Sequence, residues 1–489
     1  MDFISKNDGS GRPLRPVQIQ ALTWLQDNWS SADAFTMQLP VASGKSLIAK
    51  AIANATGGSI VTPSNLLITQ YTDTYKATNF LKGKQHYKCV SSGLSCHDWC
   101  NALEQKACKD CPYTAAKKRA LRGEQTFYNP MSLFYAGMSQ EWKTAPVLIV
   151  DEAHQLPGMI SMLCGVKLRH SMYKFNDSTL TELHLVPFLQ QQVRNLSKLA
   201  LYYDKDKKRL AEITDELERL KLVLLGVETD ASNYAIWIEQ GLFRGKPDRF
   251  LCVKPIRPPR SIVNSVLDGK KIVLLSGTLM PSDVQDLVGE RRILSLDLPS
   301  PIPKERRKVF YKPLDFKMNR DTAVAPIVDA IESIIAKHPG KNAIVHVSYA
   351  MSKRLRKAFN IPILYNDPEN KQKVLDKFIR EGGVFLASGC AEGIDLKYDL
   401  ARVTIIPKLL FPNLGDPVVS KRKSLEDGDV WFNCETLKTT IQQAGRSTRT
   451  EDDYSDTYIL DPNFARIWRK TKHLLPASFN ESLVWSSRD

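Results

Sequence analysis

The chain has 489 residues, 43% hydrophobic and 25% charged, with a net charge of +15. That length holds roughly two to four domains, and no apolar run reaches the 18 residues of a membrane-crossing helix. The start, Met1-Asp2-Phe3-Ile4-Ser5-Lys6, has no signal-peptide stretch, which predicts a cytoplasmic, unsecreted protein. The cationic excess favours a polyanionic partner bound in a salt-sensitive way.

In chain order, the first feature is Leu39-Pro40-Val41-Ala42-Ser43-Gly44-Lys45-Ser46, ahead of a helical pattern from Leu47 to Ala53. Backbone N–H groups of such a loop cradle phosphates at a helix N-terminus. Ser43 and Gly44 belong to the cradle, Lys45 would reach the β- and γ-phosphates, and the Ser46 hydroxyl would bind Mg²⁺. The pattern is imperfect: Leu39 stands where a first glycine is usual, and Ala42 where glycine is common. A short apolar strand follows at Gly58 to Thr62. Five of the nine cysteines come next: Cys89, Cys96, Cys100, Cys108 and Cys111. Then Val147-Leu148-Ile149-Val150 runs into Asp151-Glu152-Ala153-His154. A carboxylate at the end of a buried strand is costly unless it meets a cation. Asp151 therefore fits as the Mg²⁺ partner, and Glu152 as the residue that polarises an attacking water.

From about 165 to 255 the pattern turns helical, with stripes Leu189, Val193, Leu196 and Leu210, Ile213, Leu217, Leu220. This predicts a helical insertion, a hairpin or small bundle. A strand at Lys271 to Leu275 closes the first series, and Leu298-Pro299-Ser300-Pro301-Ile302-Pro303 is a natural linker. Further strands are expected at Ala343 to Val347, Val384 to Ala387, Val403 to Ile406 and Thr457 to Leu460. Short apolar strands spaced by helices predict an α/β fold with two parallel sheets, each covered on both faces. Near the end stands Gln442-Gln443-Ala444-Gly445-Arg446-Ser447-Thr448-Arg449. On a helix, Arg446 and Arg449 would share a face and suit the charge that develops on a transferring phosphate. Arginines on one domain reaching ATP on the other would close the cleft on ATP and open it after hydrolysis.

Four thiolates can hold a [4Fe–4S] cluster or a tetrahedral Zn²⁺. Spacing alone favours zinc, because Cys108 and Cys111 form a zinc-like pair. Either metal would fasten a small domain with little core of its own. Which four of the five cysteines would bind it stays open.

Taken in order, these motifs resemble superfamily 2 helicases, and within them the DEAH-box XPD/DinG family of iron–sulfur helicases. Leu14-Arg15-Pro16-Val17-Gln18 resembles the family's N-terminal element on the adenine side, through Arg15 and Gln18. The segment entering Cys89, and Cys111-Pro112-Tyr113, are similar to the borders of the cluster domain. Leu275-Ser276-Gly277-Thr278-Leu279 resembles motif III, Glu392-Gly393-Ile394-Asp395 motif V, and Gln442 to Arg449 motif VI. The resemblance implies ATP-driven 5′→3′ movement on single-stranded DNA, with unwinding of duplex or DNA–RNA hybrid. It implies RecA-like motor domains over 1–295 and 296–489. An iron–sulfur insertion at 80–125 and a helical arch at 165–255 would both lie in the first. It turns the choice of metal toward [4Fe–4S], with Zn²⁺ the alternative. Forked and single-stranded DNA would be the partners of a monomer, with no membrane involved, and DNA repair is one compatible setting. The compact length suits a phage or mobile-element source. A second reading is a DNA-stimulated ATPase that remodels nucleoprotein or R-loop complexes without processive unwinding.

Overall fold

The structure, a computed structural model, describes residues 2–4, 13–63, 65–75, 79–96, 110–122, 125–137, 145–176, 181–203, 207–318, 322–390 and 396–485. Its strands, in chain order, are β1 (Ala34–Gln38), β2 (Ser59–Val61), β3 (Phe80–Leu81), β4 (Phe127–Tyr128) and β5 (Val147–Asp151). Next come β6 (Val166–Arg169), β7 (Tyr234–Phe243), β8 (Lys246–Pro255), β9 (Lys271–Ser276) and β10 (Ile293–Asp297). The last are β11 (Val309–Tyr311), β12 (Ala343–Val347), β13 (Leu364–Tyr365), β14 (Val384–Ser388), β15 (Val403–Ile406), β16 (Asp456–Ile459) and β17 (Leu483–Val484).

Two seven-stranded parallel sheets result. The first has the order β10-β1-β9-β5-β2-β4-β3, the second β13-β14-β12-β15-β16-β11-β17. Strands such as Val147–Asp151 and Ala343–Val347 are buried at every position. That is why they read as continuous apolar runs rather than alternating ones. The chain leaves the first sheet after Asp297 and enters the second at Val309. The proline-rich segment lies between.

Register does the work of site-building. Gln38 sits opposite Ser276, and Asp151 opposite Leu275. Because β1, β9 and β5 are neighbours, the loops after them emerge side by side at the carboxyl edge of the sheet, where ligands of open α/β folds bind.

The insertion is richer than its periodicity suggests. The expected hairpin is there, as helices Glu182–Tyr202 and Lys207–Thr229, with Leu189, Leu196, Ile213, Leu217 and Leu220 buried between them. It packs on a three-stranded antiparallel sheet, β6-β8-β7, that helical periodicity could not reveal. The second sheet's domain grips both the insertion and the first domain. Lys421 Nζ donates to the Tyr234 carbonyl at 2.7 Å, and Arg257 pairs with Asp427 at 2.7 Å. Lys438, on helix Gly428–Ala444, meets Asp283 of helix Pro281–Val288 at 3.0 Å in a buried ion pair. Among the described residues, no helix is long and apolar enough to cross a membrane.

Candidate active site

The phosphate loop bridges β1 and the helix Lys45–Thr56. Gly44 has φ +80°, strained for any other residue, and a Cβ there would displace the Gln18 amide and the Arg15 guanidinium, so glycine is strongly favoured. Ala42 also has positive φ, at 68°. An alanine in that region costs about 1–2 kcal/mol, which explains why glycine is common there. Gln18 is buried and braces the loop, donating to the Ser43 carbonyl at 3.1 Å and accepting the Arg15 N–H at 2.9 Å. The Arg15 guanidinium reaches Glu451 of the second domain at 3.0 Å. The Ser43 hydroxyl is buried, with no hydrogen-bond partner among the described residues. A cradle that strongly favours glycine and an orphaned hydroxyl suit a phosphate-bearing ligand.

Asp151 ends β5, buried, with the Ser46 hydroxyl 3.5 Å from Oδ2. Those two oxygens are the pair that would hold Mg²⁺. Two further groups orient the carboxylate. The Tyr71 hydroxyl donates to Oδ2 at 2.8 Å, and the Glu152 N–H to Oδ1 at 3.0 Å. Tyr71 went unnoticed in the sequence, because nothing in a helical Gln-Tyr-Thr stretch says which buried carboxylate its hydroxyl will meet. The ring is packed against Phe127 and Tyr75. Burial and the neighbouring Asp151 push its pKa well up, so it remains a donor. Tyr71→Phe keeps the packing and removes one charge-assisted hydrogen bond. That bond is worth about 1.5 kcal/mol, so we expect a roughly tenfold higher Mg²⁺ requirement for ATP turnover with kcat at saturating Mg²⁺ nearly unchanged. A Mg²⁺ titration checks it.

Burial, with Glu152 adding to it, raises the Asp151 pKa to about 6 against the lowering pull of Lys45 and Tyr71. A raised carboxyl pKa means the ion-free folded protein is favoured by protonation. That stabilisation is complete below about pH 4 and is lost as pH rises through about 6, worth up to about 3 kcal/mol. A divalent cation at the carboxylate offsets the loss. Mg²⁺ with ADP should therefore raise the melting temperature more at about pH 7.5 than at about pH 5.5. Thermal unfolding at the two pH values tests it.

Glu152 follows in the left-handed region, with φ 51°. Strain of this kind concentrates at functional sites. Here it turns the carboxylate toward Lys45 Nζ, at 3.7 Å, and His154 Nδ1, at 3.5 Å. Burial pushes the Glu152 carboxyl up. Lys45 foremost, then His154, Arg446 and Arg449, outweigh burial and hold it below its ordinary value, so it is ionised at neutral pH.

His154 joins three motifs. Nδ1 lies 2.8 Å from the Ser276 hydroxyl, which also accepts the Thr278 N–H at 3.0 Å. Nε2 lies 2.8 Å from the Gln442 side-chain nitrogen, which is 3.4 Å from the Thr278 hydroxyl. The second domain thus touches the end of β5 through one imidazole.

Gln442 stands on the helix Gly428–Ala444, but Arg446 and Arg449 do not share a helical face, because the helix ends at Ala444 with Gly445 as its cap. The segment beyond turns away from the helix and is pinned by hydroxyls: Ser447 Oγ to Thr404 Oγ1 of β15 at 2.7 Å, Thr448 Oγ1 to Ser455 Oγ at 2.6 Å. The Arg449 N–H donates to Asp453 at 3.0 Å. Both arginines nonetheless line one cleft of about 1200 Å³ with Lys45, Glu152, His154 and Gln442. Glu392 and Asp395 lie outside the described residues.

Of the five clustered cysteines, Cys100 and Cys108 also lie outside the described residues. Cys89, Cys96 and Cys111 are buried, and the Cys96 and Cys111 sulfurs are 3.9 Å apart. Cys111 caps the helix Pro112–Leu121. Burial pushes its thiol up, but hydrogen bonds from Thr114 and Cys96 outweigh that and hold it below its usual value. A depressed pKa at a helix N-terminus is what a thiolate ligand needs. Among the described residues, no three ligands converge into a ready-made metal site.

A model of the Helicase C-terminal domain matches residues 331–482. The chain is 24% identical over 439 residues to ATP-dependent DNA helicase YoaA of Escherichia coli K12, covering 75% of this chain and 69% of that protein. It is 26% identical over 261 residues to the Regulator of telomere elongation helicase 1 homolog of Drosophila persimilis, covering 44% of this chain and 25% of that protein. It thus spans about two thirds of the YoaA proteins and a quarter of the telomere helicase. A solved structure named XPD_Helicase matches with a TM-score of 0.61 at 17% identity, covering 97% of this chain and all of that one. Two RecA-like parallel sheets around one phosphate loop define an ATP-dependent enzyme of helicase superfamily 2. The relatives it resembles in sequence, and the structure it resembles in fold, are helicases of XPD/DinG type.

Proposed function

We infer that this chain uses ATP hydrolysis to move 5′ to 3′ along single-stranded DNA and to open the duplex, or a DNA–RNA hybrid, ahead of it. One observation carries the reading: Lys45, Glu152 and His154 from one sheet face Gln442, Arg446 and Arg449 from the other across a single cleft, joined by the Gln442–His154 contact. In this reading Arg15 and Gln18 border the base, and Ser43, Gly44 and Lys45 hold the phosphates. Glu152 orients the attacking water, and Arg446 and Arg449 meet the charge that develops on the transferring phosphoryl group. Mg²⁺ at Ser46 and Asp151 would supply further neutralisation of the phosphate charge. After hydrolysis the phosphate charge that draws the arginines inward is lost, which favours parting of the domains. Residues 1–295 and 296–489 are the two motors, and Glu392 and Asp395 would serve from the second.

The cysteines would hold a [4Fe–4S] cluster on four of Cys89, Cys96, Cys100, Cys108 and Cys111, in preference to Zn²⁺. The lowered thiol pKa of Cys111 supports a thiolate ligand. The helix it caps presents Lys117, Lys118 and Arg122 on its exposed side, suited to a DNA backbone. The test is anaerobic purification with metal analysis, then unwinding of 5′-tailed and 3′-tailed duplexes. About four irons per chain and opening of only the 5′-tailed substrate are expected. Opening from the 3′ tail overturns the polarity, and zinc overturns the cluster.

A further inference from the structure

Strands β7 and β8 form one long hairpin, paired without interruption from Tyr234 and Pro255 at its foot to Phe243 and Lys246 at its tip. At about 3.3 Å per residue it spans roughly 30 Å. The turn is two residues, Arg244 and Gly245, both left-handed with φ 49° and 78°. Such a turn matches the strand twist and keeps the tip stiff.

The tip is apolar and open. Leu242 is 71% exposed and Phe243 40%. Large side chains in a stiff turn normally fold back onto the sheet. Here one face of Phe243 is backed by the Arg169 guanidinium, 3.6 Å from the ring centroid, and the ring is still partly exposed. Charge around it is one-sided. The hairpin carries Arg244, Lys246, Arg249 and Lys254 against Glu239 and Asp248. Both carboxylates are paired with cations of β6, Glu239 with Lys167 at 2.6 Å and Asp248 with Arg169 at 3.9 Å. No acid lies between Leu242 and Pro247. An exposed aromatic flanked by the guanidinium groups of Arg169 and Arg244, at a tip that carries Lys246 and no acid, is the chemistry that takes a nucleobase on its ring and phosphates at its flanks.

The foot is tied to the second motor domain. Lys421 donates to the Tyr234 carbonyl, and Arg257, just beyond β8, reaches Asp427. Asp427 is itself held by both Arg422 nitrogens, at 2.6 and 2.7 Å. The foot of the hairpin therefore rests against the second motor domain.

We propose that the Tyr234–Pro255 hairpin is a strand-separating pin, with Phe243 stacking on the terminal base pair where single-stranded DNA meets duplex and Leu242, on the opposite face of the strand, flanking the junction. This rests on the helicase reading above and adds to it where the strands part. The test compares the wild-type chain with Leu242→Ala/Phe243→Ala and with Phe243→Trp. The readouts are strand-stimulated ATP turnover, displacement of streptavidin from biotinylated single strands, and opening of a forked duplex. Thermal melting confirms that each variant folds. The double variant should keep ATP turnover and streptavidin displacement within about twofold. It should lose about tenfold in fork opening, the loss of one stacked base, whereas Phe243→Trp, which keeps an aromatic face, should open the fork as the wild type does. Unchanged fork opening in the double variant overturns the pin and leaves the tip to a protein partner. Loss of ATP turnover in parallel with opening also overturns it, since the hairpin would then serve the motor. A wild-type chain that opens no fork fails the helicase reading itself, a different outcome from a wild type that opens forks with or without the tip.

Discussion

Glu152→Gln should lower strand-stimulated ATP turnover by roughly 10²- to 10⁴-fold, the usual contribution of a group that polarises or deprotonates the nucleophile. The substitution is nearly isosteric, so the left-handed backbone at φ 51° and the contacts with Lys45 and His154 can persist. What disappears is the negative charge that Lys45, Arg446 and Arg449 hold ionised despite burial. Binding should survive, because the phosphate cradle and Asp151 are untouched. Single-turnover hydrolysis beside a nucleotide-binding titration separates the two. An equal loss in both would assign Glu152 to binding.

Arg446→Ala should cost more, roughly 10³- to 10⁵-fold in turnover, the scale of an arginine finger. Its guanidinium belongs to the second sheet's domain and acts on Glu152 of the first, so it reports closure as well as charge. Arg446→Lys should rescue little. An ammonium keeps the charge but not the planar fork that meets phosphate oxygens. The measurement is kcat against strand concentration. A variant whose kcat is normal at saturating strand would show that Arg446 serves DNA binding.

Both substitutions fall where the sequence was most informative. An apolar run ending in acids can hardly be anything but a buried strand delivering carboxylates to an edge, and β5 is that strand. The Gly44-Lys45-Ser46 triplet was legible for a similar reason, since its left-handed position strongly favours glycine. Other features were hidden by physics that is not local. β1, Ala34–Gln38, has a threonine and a glutamine among five residues, and its burial comes from neighbours far along the chain. The hairpin β7–β8 turns on Arg244-Gly245, without the asparagine or aspartate that usually announces a tight turn. Arg446 and Arg449 read as one helical face, yet the helix ends at Ala444 because Ser447 and Thr448 find hydroxyl partners on the sheet and on the next loop. His154 was visible as a letter in a motif. Its role as a contact between domains needed Gln442 in three dimensions.

The central claim is that ATP is hydrolysed in the cleft between the two sheets, under the control of a DNA strand. Steady-state ATP turnover with and without single-stranded DNA, on the wild-type chain and on Lys45→Ala, addresses it most directly. Turnover that rises with the strand in the wild type and vanishes in Lys45→Ala is the predicted result. A Lys45→Ala chain that keeps full strand-stimulated turnover would contradict it.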